Sequence, residues 1–414
     1  MAEDIPDIMQ FIQDNSIKIV DSNENVIDTI CGLIEHTTDD APFYAVNLSK
    51  IINQLIKWKE LLHNVKPYYA VKCNPNPVII KLLSTFKDVG FDCASKHEIA
   101  TVLSQGVAPE NIIFANPCKS YSQIQYARSE DIDVLVFDDE IELFKIKLYH
   151  PCAKLLMRIV TDDSKSECKF SCKFGLHMDN VRTVLTKAKV LDLNVIGVSF
   201  HVGSNCHDVM TYDKSIKDVS DIFAIAKEIG YTLDTIDIGG GFPGVSSDSC
   251  DTTTTESITF EDIAIVVNKA LETYFKTELK SGELKVIAEP GRYLVCSSHI
   301  LVASVIGKKY KNVDGKKSIN YYLNEGVYGS FNCIYFDHAK PIIKPYNERD
   351  GELYQSTVFG PTCDSIDVIS TECSLPDLAI GEWVYVENFG AYTIAAASTF
   401  NGFQQTRCEY YISN

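Results

Sequence analysis

The 414-residue sequence predicts an α/β protein, a (β/α)8 barrel joined to a β-rich domain, on three observations. Short apolar runs alternate with helical stretches between residues 44 and 295. The runs number eight, as a closed barrel needs. After residue 296 helical periodicity gives way to strand-like runs separated by turns. The strand candidates are 68–72 (YYAVK), 89–94, 112–116, 134–138 (VLVFD), 155–160, 195–200 (VIGVSF), 235–238 and 285–288 (KVIA). Stretches such as 77–86, 95–105 and 208–230 lie between them with apolar residues three and four apart, the spacing of a helix face. The same spacing also fits an open doubly wound sheet. The later runs HILVASVIGKKY, SINYYLNEGVYG and EWVYVENFG read as strands of a sandwich or Greek-key-like barrel. Residues 1–43 are expected to add strands to this second domain, bringing the chain ends together. The polar segment 246–257 (SSDSCDTTTTES) reads as a solvated loop.

Composition excludes several classes of function. Lys plus Arg number 38 against 56 Asp plus Glu, a net charge of −18. Such a surface repels phosphate backbones and anionic lipid, so neither nucleic acid nor membrane is an expected partner. No apolar run reaches the ~20 residues that span a bilayer. The N-terminus MAEDIPDIMQ lacks a basic segment followed by an apolar run, so a cytoplasmic protein is expected. The 14 cysteines are scattered without a CxxC pair, which argues for reduced thiols and against a metal site.

The chemistry is concentrated where the barrel strands end, because barrel active sites lie at the carboxyl ends of their strands. Those ends carry, in order, Lys72, Asp92, Asn116, Asp138, Arg158, His201 with Ser204, the glycines Gly239, Gly240 and Gly241, and Glu289 with Arg292. Any one of them serves equally as a cap or turn residue. Together they set an amine, carboxylates, an imidazole, guanidiniums and a glycine run around one mouth. A lysine at such a mouth is either a snorkelling surface residue or a partly desolvated amine able to form a Schiff base. Glycines in DIGGGFPG (237–244) let backbone N–H groups approach phosphate oxygens, and EPGR (289–292) follows on the next strand. Glu289 suits a pyridine nitrogen, since a carboxylate there keeps the ring protonated; a salt bridge is the plainer reading. His201 is a flat partner for a ring or a core histidine. In the β-rich part, Cys363 and Asp364 stand side by side, with Glu325, Tyr392 and Phe400 in neighbouring motifs.

These residues sit in long, ordered motifs: PYYAVKCN, FDCASKHEI, NPCKSYSQI, RIVTDDSK, SFHVGSNC, DIGGGFPG, AEPGRY, VYGSFNC, FGPTCDSID and GAYTIAAASTFNGFQ. From about residue 20 onward the chain closely resembles eukaryotic ornithine decarboxylase, in the alanine-racemase-like class of pyridoxal-phosphate enzymes. The resemblance implies that Lys72 carries pyridoxal 5′-phosphate, Glu289 pairs with its ring nitrogen and His201 stacks on the ring. It implies phosphate binding by Ser204, Gly239, Gly240, Gly241, Arg292 and Tyr392, with Asp92 and Arg158 around Lys72. Cys363 would protonate the α-carbon, Asp364 and Glu325 would bind the distal amine of a basic amino acid, and Phe400 would line the pocket. The family is a head-to-tail homodimer, so Cys363, Asp364 and Phe400 would serve the partner's site, and Lys173 and Asp367 match a cross-interface ion pair.

Two departures from the family bear on substrate. Glu325 stands where aspartate is usual, adding ~1.5 Å of reach, and Phe359 stands where animal enzymes have tryptophan. Ornithine is the expected substrate, with arginine or lysine the alternatives. The sequence runs only a few residues past NGFQ, so the long tail of animal forms is expected to be absent. The family also includes inactive homologues that sequester its inhibitor, so an antizyme-like regulator is a further expected partner. A regulatory binding protein is therefore the competing function.

Overall fold

The computed structural model describes residues 5–15, 17–21, 26–35, 39–244, 258–313, 315–347 and 351–413; the expected loop at 246–257 lies outside them. The described residues form two compact units. One takes in Gln54–Tyr293 with the first helix up to Phe11, and the other Ile12–Asn53 with the chain from Leu294 onward.

The first unit is a closed barrel of eight parallel strands. They are β1 (Val65–Ala70), β2 (Gly90–Cys93), β3 (Ile112–Phe114), β4 (Val134–Phe137), β5 (Lys154–Arg158), β6 (Asn194–Ser199), β7 (Thr235–Asp237) and β8 (Lys285–Ala288). Consecutive strands pair in order, and β8 closes on β1 through Val286 opposite Val65. Inside, Tyr68, Ile113, Ala115, Val136, Leu156 and Ile287 fill the bore as one packed cluster. The helices outside are set by local chemistry. Asn76 caps Pro77–Ser84 through the Val78 N–H, with proline at the first turn. Ser95 caps Lys96–Ser104, Asp139 caps Glu140–Tyr149, and Thr259 with Asp262 forms a capping box on Phe260–Tyr274. The longest helix, Met210–Ile229, stops at Gly230, whose φ of 91° suits glycine.

The second unit is a nine-stranded sheet. Strand Lys18–Val20 runs parallel to Arg407–Ser413, so early and late segments of the chain pair directly. Phe43–Asn47 lies between Arg407–Ser413 and the long strand His299–Val313. Its five residues are all buried. Its place is in this sheet, and the first unit begins near residue 54 instead of 44. Besides its strands, the N-terminal segment contributes helix Val26–Ile34, which seats Ile30 and Leu33 on Phe43, Ala45, Ile300 and Val302.

Candidate active site

Lys72 does not end a strand, as expected from sequence, but sits in the turn Val71–Cys73 that follows β1. Its ammonium is ion-paired with Asp92 on β2, a carboxylate whose side chain is fully buried. The second oxygen of Asp92, Oδ1, is buried with no hydrogen-bond donor. An unpaired buried oxygen beside an amine marks a place made for a further group.

On the other flank of β1, β8 and its neighbour β7 deliver two carboxyls. Asp237, the last residue of β7, is completely buried; Oδ1 accepts the Gly239 N–H at 2.9 Å and Oδ2 the Ser199 hydroxyl at 3.1 Å. Glu289 follows β8 at 6% exposure, its backbone N–H donating to Gly239 O at 2.7 Å. The two side chains lie close enough for the charge of each to bear on the other. Burial raises the Glu289 carboxyl well above the usual carboxylate range, with the Asp237 and Asp92 charges adding to it. Burial likewise pushes Asp237 up, to about 6. Two carboxyls so near and so dry favour the protonated form.

The glycine turn between these carboxyls tolerates no side chain. Gly239 has φ of 63°, and a Cβ there would lie 2.1 Å from Phe200 O. On Gly240 it would lie 2.8 Å from His201 Nε2. Beside the turn, Arg292 donates to the Ser204 hydroxyl at 3.0 Å. His201 accepts the Gly203 N–H on Nδ1 at 3.0 Å, so its own proton belongs on Nε2, and Phe170 meets its ring edge-on at 4.9 Å. Burial and then the Arg158 and Lys72 charges push its pKa well down, so the ring is neutral near pH 7. Arg158 ends β5 with its guanidinium 5.1 Å from the centre of the Phe174 ring. Lys72, Asp92, Arg158, His201, Ser204, the glycine run, Glu289 and Arg292 thus surround one end of the barrel. An amine, an acid for a ring nitrogen, and a glycine turn with guanidinium and hydroxyl for a phosphate make a donor set that fits pyridoxal phosphate.

The remaining expected residues belong to the second unit. Asp364 accepts the Tyr328 hydroxyl at 2.5 Å and the Ile366 N–H at 3.1 Å, which lower its pKa. Phe400 stacks on Tyr328 at 4.3 Å and 26°. Cys363 is exposed, its N–H donating to Asn401 Oδ1 at 3.0 Å. Tyr392 has φ of 57°, a left-handed backbone that aromatic residues seldom adopt. Glu325, the other acid expected at the distal amine, follows strand Lys316–Leu323. Its carboxylate is buried and receives the Gly326 N–H at 2.8 Å, the Ser330 N–H at 3.1 Å, the Ser330 hydroxyl at 2.9 Å and the Thr406 hydroxyl. Four donors of its own unit thus hold this acid in its loop. Asp367 is a second clasp, 1% exposed and holding Val327 N–H and both donors of Thr362. A cavity of about 470 Å³ lies against Glu325, Tyr328 and Phe400.

Sequence reasoning missed Asp237, Ser199, Tyr328 and Asn401, and passed over Asp337, an acid 6% exposed after helix Cys333–Phe336. For Asp237 a signal was present: it opens the same DIGGGF motif whose glycines were singled out. Ser199, Tyr328 and Asn401 also stand in such motifs, SFHVGSNC, VYGSFNC and GAYTIAAASTFNGFQ, but their partners are distant in sequence.

A model of the pyridoxal-dependent decarboxylase pyridoxal binding domain matches residues 48–296. The chain belongs to the pyridoxal-dependent decarboxylases. Among its relatives in that family, antizyme inhibitor 2 of Xenopus laevis is 44% identical over 413 residues, covering 97% of this chain and 88% of that protein. Ornithine decarboxylase of Rattus norvegicus is 44% identical over 402 residues, covering 94% and 85%. The arginine decarboxylase of Paramecium bursaria Chlorella virus, solved bound to agmatine, superposes with a TM-score of 0.85 at 33% identity, covering 94% of this chain and all of that one. Pyridoxal phosphate is the decarboxylase's cofactor.

Proposed function

We propose that this decarboxylase converts L-ornithine to putrescine and carbon dioxide in the cytoplasm, as a homodimer whose sites take residues from both subunits. The observation that carries the reading is the Lys72–Asp92 pair set in one barrel mouth with buried Glu289, the glycine turn and the Arg292–Ser204 pair. When bound, pyridoxal phosphate supplies an electron sink for the pair left by the departing carboxylate. Lys72 would hold it covalently, with Asp92 keeping the amine in place. Glu289 would hold a proton at its ring nitrogen, and neutral His201 would lie against its face without adding charge. The amides of Gly239, Gly240 and Gly241, the Ser204 hydroxyl and Arg292 would grip its phosphate, joined by Tyr392. Asp364 of the second unit binds the distal ammonium, and Phe400 keeps water from the side chain. Once the carbon–carbon bond has broken, the Cys363 thiol gives its proton to the α-carbon.

Carbon dioxide release from ornithine, lysine and arginine, measured in parallel, tests the assignment. Ornithine is expected to have the highest kcat/KM, and a preference for arginine or lysine would overturn the substrate while leaving the class intact. The 44% identity to antizyme inhibitor 2 favours a second reading, a regulatory protein that binds an antizyme-like partner without catalysis. Purified protein that is colourless and releases no carbon dioxide would support it.

A further inference from the structure

Three loops of the second unit meet at Tyr328. Its backbone carbonyl accepts the Ser398 N–H at 2.8 Å and the Ser398 hydroxyl at 3.0 Å, which fixes it to the loop ahead of Phe400. Its ring stacks on Phe400 at 4.3 Å. Its hydroxyl donates to Asp364 at 2.5 Å, a short bond of the charge-assisted kind. That bond pushes the Tyr328 phenol up to about 12, so it remains a donor throughout the working range. The acid and the aromatic wall are therefore tied to one rigid ring. Neither can shift without breaking the hydrogen bond or the stack.

We propose that Tyr328 is a positioning residue that sets chain-length specificity, by fixing the reach between the Asp364 carboxylate and the Phe400 wall. This rests on the reading of Asp364 as the acid that binds the substrate's distal ammonium. Ornithine and lysine differ by one methylene, ~1.5 Å of reach. A carboxylate free to swing follows either chain; one held by a phenol and the Ile366 N–H favours a single length. Tyr328 touches neither the reacting bond nor the α-carbon, so its effect belongs in KM and in the choice of substrate.

The test uses the full chain with ornithine and lysine, and the variants Tyr328→Phe, Asp364→Asn and the double substitution. Tyr328→Phe keeps the ring and the stack. It is expected to raise the ornithine KM about tenfold, the worth of one charge-assisted hydrogen bond, with kcat changing less than the KM. The ratio of kcat/KM for ornithine over lysine should narrow. On the Asp364→Asn background the same substitution should produce no further change, because the phenol acts only through that carboxylate. Phe400→Leu, which removes the stack together with the aromatic wall, should also narrow the ratio. If Tyr328→Phe does not fold, Tyr328→Leu, which removes both hydroxyl and stack, takes its place with the same narrowing expected. An unchanged ratio in Tyr328→Phe, or an equal effect with and without Asp364, overturns the proposal. Asp364→Asn with an unaltered ornithine KM removes the amine-binding reading itself, and the inference with it.

Discussion

At the scale of single residues, the barrel mouth is governed by a shortage of water around charge. Lys72 keeps contact with solvent while its partner Asp92 has none. Asp237 and Glu289 are buried as well, and burial drives both toward the protonated form. Because the folded chain holds the Asp237 proton more tightly than the unfolded chain, this residue stabilises the fold in acid. That contribution is lost as pH rises between the ordinary aspartate value of 3.8 and about 6. Thermal melts of cofactor-free protein should therefore show stability declining across this window. Asp237→Asn, which removes the titration and keeps an acceptor for the Gly239 N–H, should flatten the decline. An equal slope in the variant would show that other groups produce it.

At the scale of elements, turns and loops decide what strands merely present. The sequence made the barrel legible because each strand is a short apolar run between well-capped helices. Residues 65–70 form β1, slightly earlier than the run YYAVK suggested, and Lys72 falls in the turn beyond it. The residues that ring the barrel mouth were legible as a group too, since they follow strands whose order is fixed by the barrel. The start of the first unit, expected at 44 and found near 54, was not, because Phe43–Asn47 is as buried as a barrel strand and carries the same hydrophobic pattern. Glu325 was not either: which donors a carboxylate meets depends on Ser330 and Thr406, and the latter is 81 residues away. Glu325→Ala should leave those donors unsatisfied and destabilise the fold by about 1–3 kcal/mol. Its effect on the ornithine KM should be smaller than that of Asp364→Asn, as melting curves and steady-state kinetics would reveal. A larger KM effect at Glu325 would restore it as an amine-binding acid.

At the scale of the whole molecule, the proposed site residues divide between two compact units, one holding Lys72 and the rest of the barrel mouth, the other holding Tyr392, Cys363, Asp364 and Phe400. In a homodimer with shared sites, inactive Lys72→Ala and inactive Cys363→Ala subunits complement each other. Mixing them equally should restore roughly a quarter of wild-type activity, as half the dimers are hybrids with one intact site each. No recovery on mixing would mean that each subunit supplies its own thiol.

The most direct measurement is borohydride reduction of the holoenzyme followed by mass mapping of its peptides. The account predicts a pyridoxyl group on the peptide bearing Lys72 and none in Lys72→Ala. The group on any other lysine, or unmodified peptides from active enzyme, would contradict it.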